Sequence, residues 1–330
     1  IYMVNQKSKK NRTTTRKNNT KKTKIEKYKE DAKNGDADAQ YNLGHMFKKG
    51  EGVKRNYKEA VHLLDLSAEQ GNAEAQNSLG NMFDNGQGVK RNYKKAVRLY
   101  RLSAKQGNKF AQSNLGVMFE DGHGVKRNYK EAIRLYRLSA KKGHAKAQNN
   151  LGVMFDNGRG VKRNYKEAVR LFRLSAKQGH ASAQANLGIM FKDGQGVKRN
   201  YKEAVRLYRL SAKQGHARAQ NNLGIMYQKG HGVKRNYKEA IRLYRISAKQ
   251  GNEFAQNNLG FMYEFGVGVK RNYKEAVRLY RISAKQGNKF ARNRLSTMVK
   301  NERGVKENKK EAKRLFRLAA KTVRKTMHKK

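Results

Sequence analysis

The chain has 330 residues, a formal net charge of +52 and a hydrophobic content of 37%. It has no cysteine, which excludes disulfide scaffolds, thiolate metal sites and cysteine nucleophiles. No apolar run approaches the roughly 20 residues that a membrane-spanning helix needs. The basic start of the chain lacks the apolar stretch of a secretory signal, so we expect an intracellular protein, cytoplasmic or nuclear.

Two segments at the start of the chain differ from the rest of it. Residues 1–20 hold almost no apolar side chains, which predicts a basic, disordered tail. Residues 21–35 keep Ile25, Tyr28 and Ala32 at helical spacing. We therefore expect a degenerate N-terminal helix that caps the domain spanning residues 36–330.

Within residues 36–330 a unit of 36 residues recurs without insertion. A Leu-Gly pair marks seven copies, and its leucines are Leu43, Leu79, Leu115, Leu151, Leu187, Leu223 and Leu259. Leu295 followed by Ser296 marks the eighth copy. A constant period of this length is typical of solenoid proteins. We predict eight repeats in one elongated domain, and a monomer.

Each unit reads as a pair of helices. In the third unit, Asn108 is a cap for a first helix that buries Leu115 and Met118. A glycine turn comes next, and Asn128 opens a second helix that ends at Gly143. Such a hairpin cannot bury both faces alone, so neighbouring hairpins must stack.

The last repeat departs from the others at its stacking positions. Lys309 and Lys313 stand where Tyr273 and Val277 stand one repeat earlier. Polar residues at these positions are typical of a terminal capping repeat. We expect the last repeat and residues 322–330 to form a basic C-terminal cap and tail.

One set of residues recurs at fixed spacing through the copies; in the third unit it comprises Ala111, Leu115, Gly116, Gly122, Gly124, Val125, Ala132, Tyr136, Ala140 and Gly143. This pattern resembles the Sel1-like repeat family, whose members are tetratricopeptide-like helical repeats. The resemblance implies an all-α fold, a right-handed α/α superhelical solenoid of eight 36-residue helix-turn-helix repeats with the first helices on the concave side. It also implies a non-enzymatic scaffold or adaptor for protein–protein interaction. The asparagine at Asn128 and the strongly basic surface depart from the family pattern.

The second helices carry a basic stripe along one face, since four cations per helix fall within one arc of the helical wheel. We call the following six sets the basic strip: Lys94, Arg98, Arg101 and Lys105; Lys130, Arg134, Arg137 and Lys141; Lys166, Arg170, Arg173 and Lys177; Lys202, Arg206, Arg209 and Lys213; Lys238, Arg242, Arg245 and Lys249; Lys274, Arg278, Arg281 and Lys285. The last repeat adds Lys310, Arg314, Arg317 and Lys321, whereas the first repeat has Lys58, His62, Asp65 and Glu69 there.

Two interpretations of the basic strip remain open at the level of sequence. It is either a solvated face multiplied by duplication of the repeat, or a polyanion-binding surface for nucleic acid, acidic protein or anionic lipid. The first helices offer a different surface, a ladder formed by Asn114, Asn150, Asn186, Asn222 and Asn258. Its amides are either peptide-groove contacts, because they can pair with an extended backbone, or residues that drifted on a solvated face.

The sequence contains no arrangement typical of catalysis. The recurring His144, His180 and His216 stand at helix starts, too far apart to share a metal ion, so we interpret them as caps. The glycine loop before each second helix matches neither a P-loop nor a dinucleotide fingerprint. We expect no enzyme activity, no cofactor and no metal site, and a protein partner as the first hypothesis.

Overall fold

The structure, a computed structural model, describes residues 24–304, and all regular structure in that range is α-helical. The helices are α1 (24–33), α2 (Ala37–Lys49), α3 (Tyr57–Glu69), α4 (Ala73–Asn85), α5 (Tyr93–Lys105), α6 (Lys109–Asp121), α7 (Tyr129–Lys141), α8 (Ala145–Asn157), α9 (Tyr165–Lys177), α10 (Ala181–Asp193), α11 (Tyr201–Lys213), α12 (Ala217–Lys229), α13 (Tyr237–Lys249), α14 (Glu253–Phe265), α15 (Tyr273–Lys285) and α16 (Lys289–Lys300). The predicted all-α fold of helix-turn-helix repeats is confirmed. Even-numbered helices from α2 onward are the first helices of the repeats, and odd-numbered helices from α3 onward are the second.

Several predictions fall outside the described residues. These are the tail at 1–20, the capping positions Lys309 and Lys313, the seventh basic set at Lys310, Arg314, Arg317 and Lys321, and the C-terminal segment 322–330.

The chain divides into two compact units, Ile1–Arg163 and Asn164–Lys330. In the first unit successive helices from α2 to α8 pack on one another in chain order. The second unit repeats this arrangement from α9 to α16. At the start of the first unit, Tyr28 and Ala32 of α1 pack with Leu43 and Leu63. Each unit is therefore a row of stacked helices.

The helix ends follow the predicted chemistry. The Asn108 side chain accepts hydrogen bonds from the backbone N–H groups of Phe110 and Ala111, which starts α6. Gly122 ends α6 in the left-handed conformation, with φ of 77°, and its N–H donates to the Met118 carbonyl. The Asn128 side chain accepts from the Glu131 N–H at 3.1 Å and starts α7. Local sequence therefore determines where the helices begin and end.

Buried polar side chains join the helices of the stack. The Ser103 hydroxyl donates to the Ala73 carbonyl at 2.6 Å, which ties the second helix of a repeat to the start of the first. Gln76 donates to the Ala68 carbonyl at 3.1 Å across the boundary between two repeats. Because buried polar groups need partners, these recurring serines and glutamines are explained by the fold.

Candidate protein-interaction surfaces

All 24 side chains of the basic strip are exposed. In the first unit they lie on α5 and α7, and in the second unit they lie on α9, α11, α13 and α15. The structure thus places every predicted strip residue at the surface of its unit. It also divides these residues into groups with different partners.

One arginine in most sets is neutralised by a glutamate on its own helix. Arg134 donates from Nε to Glu131 Oε2 at 2.9 Å and from a terminal nitrogen to Oε1 at 2.6 Å. These hydrogen bonds raise the pKa of the Arg134 guanidinium. The same two-pronged pair recurs at Arg170, Arg206, Arg242 and Arg278. Each of these sets therefore presents less net charge than its four cations imply.

A second arginine packs against the next repeat. The Arg101 guanidinium lies 5.8 Å from the centre of the Phe119 ring, and Arg209 lies 5.8 Å from the Tyr227 ring. Arg209 also donates to the Tyr227 hydroxyl at 2.9 Å. These contacts tie a second helix to the following first helix. Part of the basic strip consequently has a structural role that its sequence pattern did not reveal.

The lysines at the ends of each set are among the cations that remain available to a partner. Lys130 and Lys141, for example, are exposed and make no ion pair or hydrogen bond within the described part of the chain. Each long side chain carries its charge on a flexible stem.

The interface between the first two repeats has the opposite charge arrangement. Asp65 stands where Arg101 stands one repeat later, and Lys95 stands where Glu131 stands. The Lys95 Nζ atom lies 5.2 Å from the centre of the Phe83 ring. It thus occupies the place over the ring that Arg101 occupies over Phe119 one repeat later. A groove of about 570 Å³ lies between α3 and α5, with Asp65 on one side and Lys95 and Arg98 on the other. The charges at these two positions are thus exchanged relative to the later repeats.

The predicted asparagine ladder on the first helices is half-buried, and two of its members donate to other asparagines of the preceding repeat. Asn114 donates to Asn77 Oδ1 at 3.1 Å and to Asn81 Oδ1 at 3.2 Å, one repeat earlier. In the second unit Asn258 donates to Asn221 Oδ1 at 2.9 Å. These bonds link adjacent first helices, so the ladder contributes to stacking as well as lining a surface.

A cleft of about 810 Å³ opens on the first helices α12, α14 and α16 of the second unit. Its lining is arranged in rows 36 residues apart. The row at the start of the helices comprises Arg218, Phe254 and Phe290. The second row comprises Asn221, Asn257 and Asn293, and the third comprises Asn222, Asn258 and Arg294. The fourth row comprises Ile225, Phe261 and Thr297. Two members of the predicted ladder, Asn222 and Asn258, therefore lie in a real depression with aromatic neighbours.

Arg294 is held in place at one side of this cleft. Its guanidinium lies 5.2 Å from the centre of the Phe265 ring and 5.8 Å from that of Phe261. A terminal nitrogen is 3.9 Å from Glu264 Oε1. Glu264 is buried and accepts a hydrogen bond from the Tyr280 hydroxyl at 2.8 Å. Ring stacking and this long ion pair together restrict the position of Arg294 while leaving 45% of its side chain exposed.

Sequence reasoning did not single out Phe254, Phe290 or Arg294. The available signal was their departure from the repeat. Arg294 replaces the ladder asparagine, and the two phenylalanines stand at a position that varies between copies, which have Phe110, Lys146, Ser182 and Arg218 there. Departures from a repeated pattern are informative because the fold does not require them.

The histidines behave as caps in two of three cases. The Nδ1 atoms of His180 and His216 accept from the N–H groups of Ala183 and Ala219 at 3.3 and 3.2 Å. His144 makes no such bond, because its Nδ1 lies 3.1 Å from the Ser139 hydroxyl and its ring packs edge-on against Phe110. Between residues 24 and 304 no group of three or more potential metal ligands comes together, and no helix is long and apolar enough to cross a membrane.

Comparison with known proteins decides the family. The model of the Sel1 repeat matches eight successive segments, at 37–72, 73–108, 109–144, 145–180, 181–216, 217–252, 254–288 and 290–321. The chain belongs to the Sel1 repeat family. Sel1 repeat proteins generally act as protein-interaction scaffolds, and their fold is typical of non-enzymatic proteins.

Two solved Sel1-type structures are similar to this one. The protective antigen c5321 of uropathogenic Escherichia coli is 34% identical with a TM-score of 0.70, over 90% of this chain and 64% of its own. A Sel1 repeat protein from Oxalobacter formigenes is 33% identical with a TM-score of 0.67, over 74% of this chain and 96% of its own. This chain thus spans less than two thirds of c5321. No curated protein matches the sequence.

Proposed function

We propose that this Sel1 repeat protein is a non-enzymatic scaffold that binds a protein partner on its first-helix face, with the cleft on α12, α14 and α16 as the principal contact. The observation that carries this proposal is the exposure of Phe254 and Phe290, whose side chains are 49% and 58% exposed at the cleft. Clustered, exposed aromatic side chains favour an interaction site because water solvates them poorly. The half-buried amides of Asn222 and Asn258 add donors and acceptors for a partner's backbone.

Site-specific photo-crosslinking tests the proposal. A photoreactive side chain would replace Phe254 on the first-helix face, and in a matched variant Lys202 on the second helix α11. We expect one discrete partner protein to be captured from position 254, with nuclease treatment leaving the yield unchanged. Capture from position 202 alone, or loss of the product after nuclease treatment, would contradict the proposal.

A second candidate function is supported by the exposure of the basic strip. It is polyanion binding, to nucleic acid or an acidic protein, through lysines such as Lys166, Lys177, Lys202 and Lys213 of the second unit. Changing these four to Gln leaves the arginine pairs and ring contacts intact, so the fold should be unaffected. Heparin affinity should then fall and its logarithmic salt dependence should become shallower, because the slope counts neutralised charges.

The matched control for this candidate is Asn150→Ala with Asn186→Ala on the first helices. It should leave heparin binding unchanged. Equal losses of heparin affinity in the two variants would show that the basic strip is not the binding surface. A monomeric state, the absence of catalysis and a cytoplasmic or nuclear location stay predictions.

A further inference from the structure

We infer that the occupant of the cleft on α12, α14 and α16 is an acidic peptide segment that carries a bulky apolar side chain. This inference rests on the proposed scaffold function and specifies the partner's chemistry. It depends on the charges and apolar surfaces that line the cleft.

The charged side chains that line the cleft are all cations. Arg218, Lys229 and Arg294 contribute to its lining, and no carboxylate does. The neighbouring Glu264 is buried beneath Arg294 and engaged by the Tyr280 hydroxyl. A segment with carboxylates is therefore attracted to this surface, while a basic segment is repelled.

Arg294 is the residue best prepared to bind a carboxylate. Its planar guanidinium lies beside Phe265 and Phe261, and 45% of the side chain is exposed to a partner that could accept paired hydrogen bonds. Because stacking restricts the side chain before binding, less conformational entropy is lost on forming the contact. Arg218 supplies a second exposed cation at the start of α12.

The apolar part of the cleft requires an apolar group from the partner. Phe254 and Phe290 are adjacent members of the row at the start of the helices, and Ile225 and Phe261 are half-buried deeper along the same helices. An aromatic or large aliphatic side chain placed here removes apolar surface from water on both molecules.

The equivalent row of the first unit has mixed chemistry. At the positions that correspond to Phe254 and Phe290, helices α2, α4, α6 and α8 carry Asp38, Glu74, Phe110 and Lys146. Asp38 and Glu74 are exposed and would repel an acidic partner at the α2 and α4 end of that row. Two adjacent exposed phenylalanines beside cations, as in the cleft of the second unit, are therefore not a feature that every repeat supplies.

Fluorescence anisotropy with synthetic peptides tests the inference. The probe is a labelled peptide of glutamates and phenylalanines, with two comparison peptides that replace Phe by Ala or Glu by Lys. We expect the Glu/Phe peptide to bind most tightly. The double variant Arg218→Gln with Arg294→Gln should bind the Glu/Phe peptide at least about tenfold more weakly. The double variant Phe254→Ala with Phe290→Ala should bind the Glu/Phe peptide no more tightly than the peptide in which Ala replaces Phe.

A strip variant separates this cleft from general attraction to a highly basic protein. Lys202→Gln with Lys238→Gln removes the same number of charges from second helices of the same unit and should change the affinity less than twofold. Equal weakening by the strip variant, or equal affinity for the Ala peptide, would overturn the inference. If photo-crosslinking at position 254 still captures a partner that the Glu/Phe peptide does not displace, the scaffold function stands and the inference fails. If no partner is captured there, the scaffold function itself fails.

Discussion

Gly116 and Tyr136 lie in such close contact that a Cβ atom at residue 116 would come within 2.6 Å of Tyr136 Cε1. Tyr136 is completely buried on the second helix of the same repeat, and the relationship recurs between Gly80 and Tyr100. A mid-helix glycine costs about 1 kcal/mol relative to alanine. Close approach of the second helix explains why glycine occupies this position despite that cost.

We expect Gly116→Ala to destabilise the protein despite the better helix propensity of alanine. The gain of about 1 kcal/mol is opposed by overpacking against the Tyr136 ring, which costs about 1 to 3 kcal/mol. A urea titration followed by circular dichroism should show a lower midpoint. The matched control is Gly44→Ala, where the nearest atom is the more adaptable Leu64 Cγ at 3.0 Å and the loss should be smaller. A higher midpoint for Gly116→Ala would show that the packing relaxes without cost.

The buried tyrosine hydroxyls differ in their partners, which predicts opposite effects of one substitution. The Tyr208 hydroxyl is buried with no hydrogen-bond partner, whereas the Tyr280 hydroxyl donates to the buried Glu264. Tyr208→Phe should leave stability unchanged or raise it by up to about 1 kcal/mol, and Phe172 already occupies the same repeat position. Tyr280→Phe should cost about 1 to 3 kcal/mol, because Glu264 loses its donor. Denaturant titrations that rank the two variants in the reverse order would refute this account.

His216 should make stability depend on pH. Burial lowers its pKa, and Arg218 and His180 lower it further. As the pH falls through about 6.5, the His216 side chain therefore takes up a proton in the unfolded chain before it does so in the folded chain. The free energy of unfolding is consequently highest above that pH and decreases as the pH drops below it. His216→Asn should flatten this part of the melting-temperature profile while preserving the helix start, since Asn252 caps the next first helix. An unchanged profile below pH 6.5 would exclude His216 as its source.

The reversed charges at Asp65 and Lys95 predict an energetic coupling across the first repeat interface. Asp65→Arg together with Lys95→Glu restores the arrangement of later repeats, with an arginine over Phe83 and a glutamate beside Arg98. Each single change brings like charges together, so the double variant should be about 0.5 to 1 kcal/mol more stable than the sum of the single effects predicts. A double-mutant cycle in urea measures this coupling. In the control cycle, Lys94→Glu replaces Lys95→Glu as the partner of Asp65→Arg. An equal coupling energy in that cycle would rule out a contact specific to residue 95.

Sequence by itself determined the repeat and its helices. The 36-residue period, the caps at Asn108 and Asn128 and the stop at Gly122 depend on interactions within a few residues, which a linear pattern records. The exposure of the basic strip followed for the same reason, because helical spacing alone sets which side chains share a face.

Only the tertiary structure decided what the exposed residues contact. Arg101 reaches Phe119 and Arg294 lies beside Phe265 because neighbouring helices bring them together. Asn114 of the asparagine ladder bonds to Asn77 and Asn81 across 37 and 33 residues. The cleft joins three helices that are 36 residues apart in sequence. Such contacts depend on the distance and rotation between stacked helices, and the repeat pattern does not encode these quantities locally. The sequence therefore determined the faces, and packing determined which of their side chains are left for a partner.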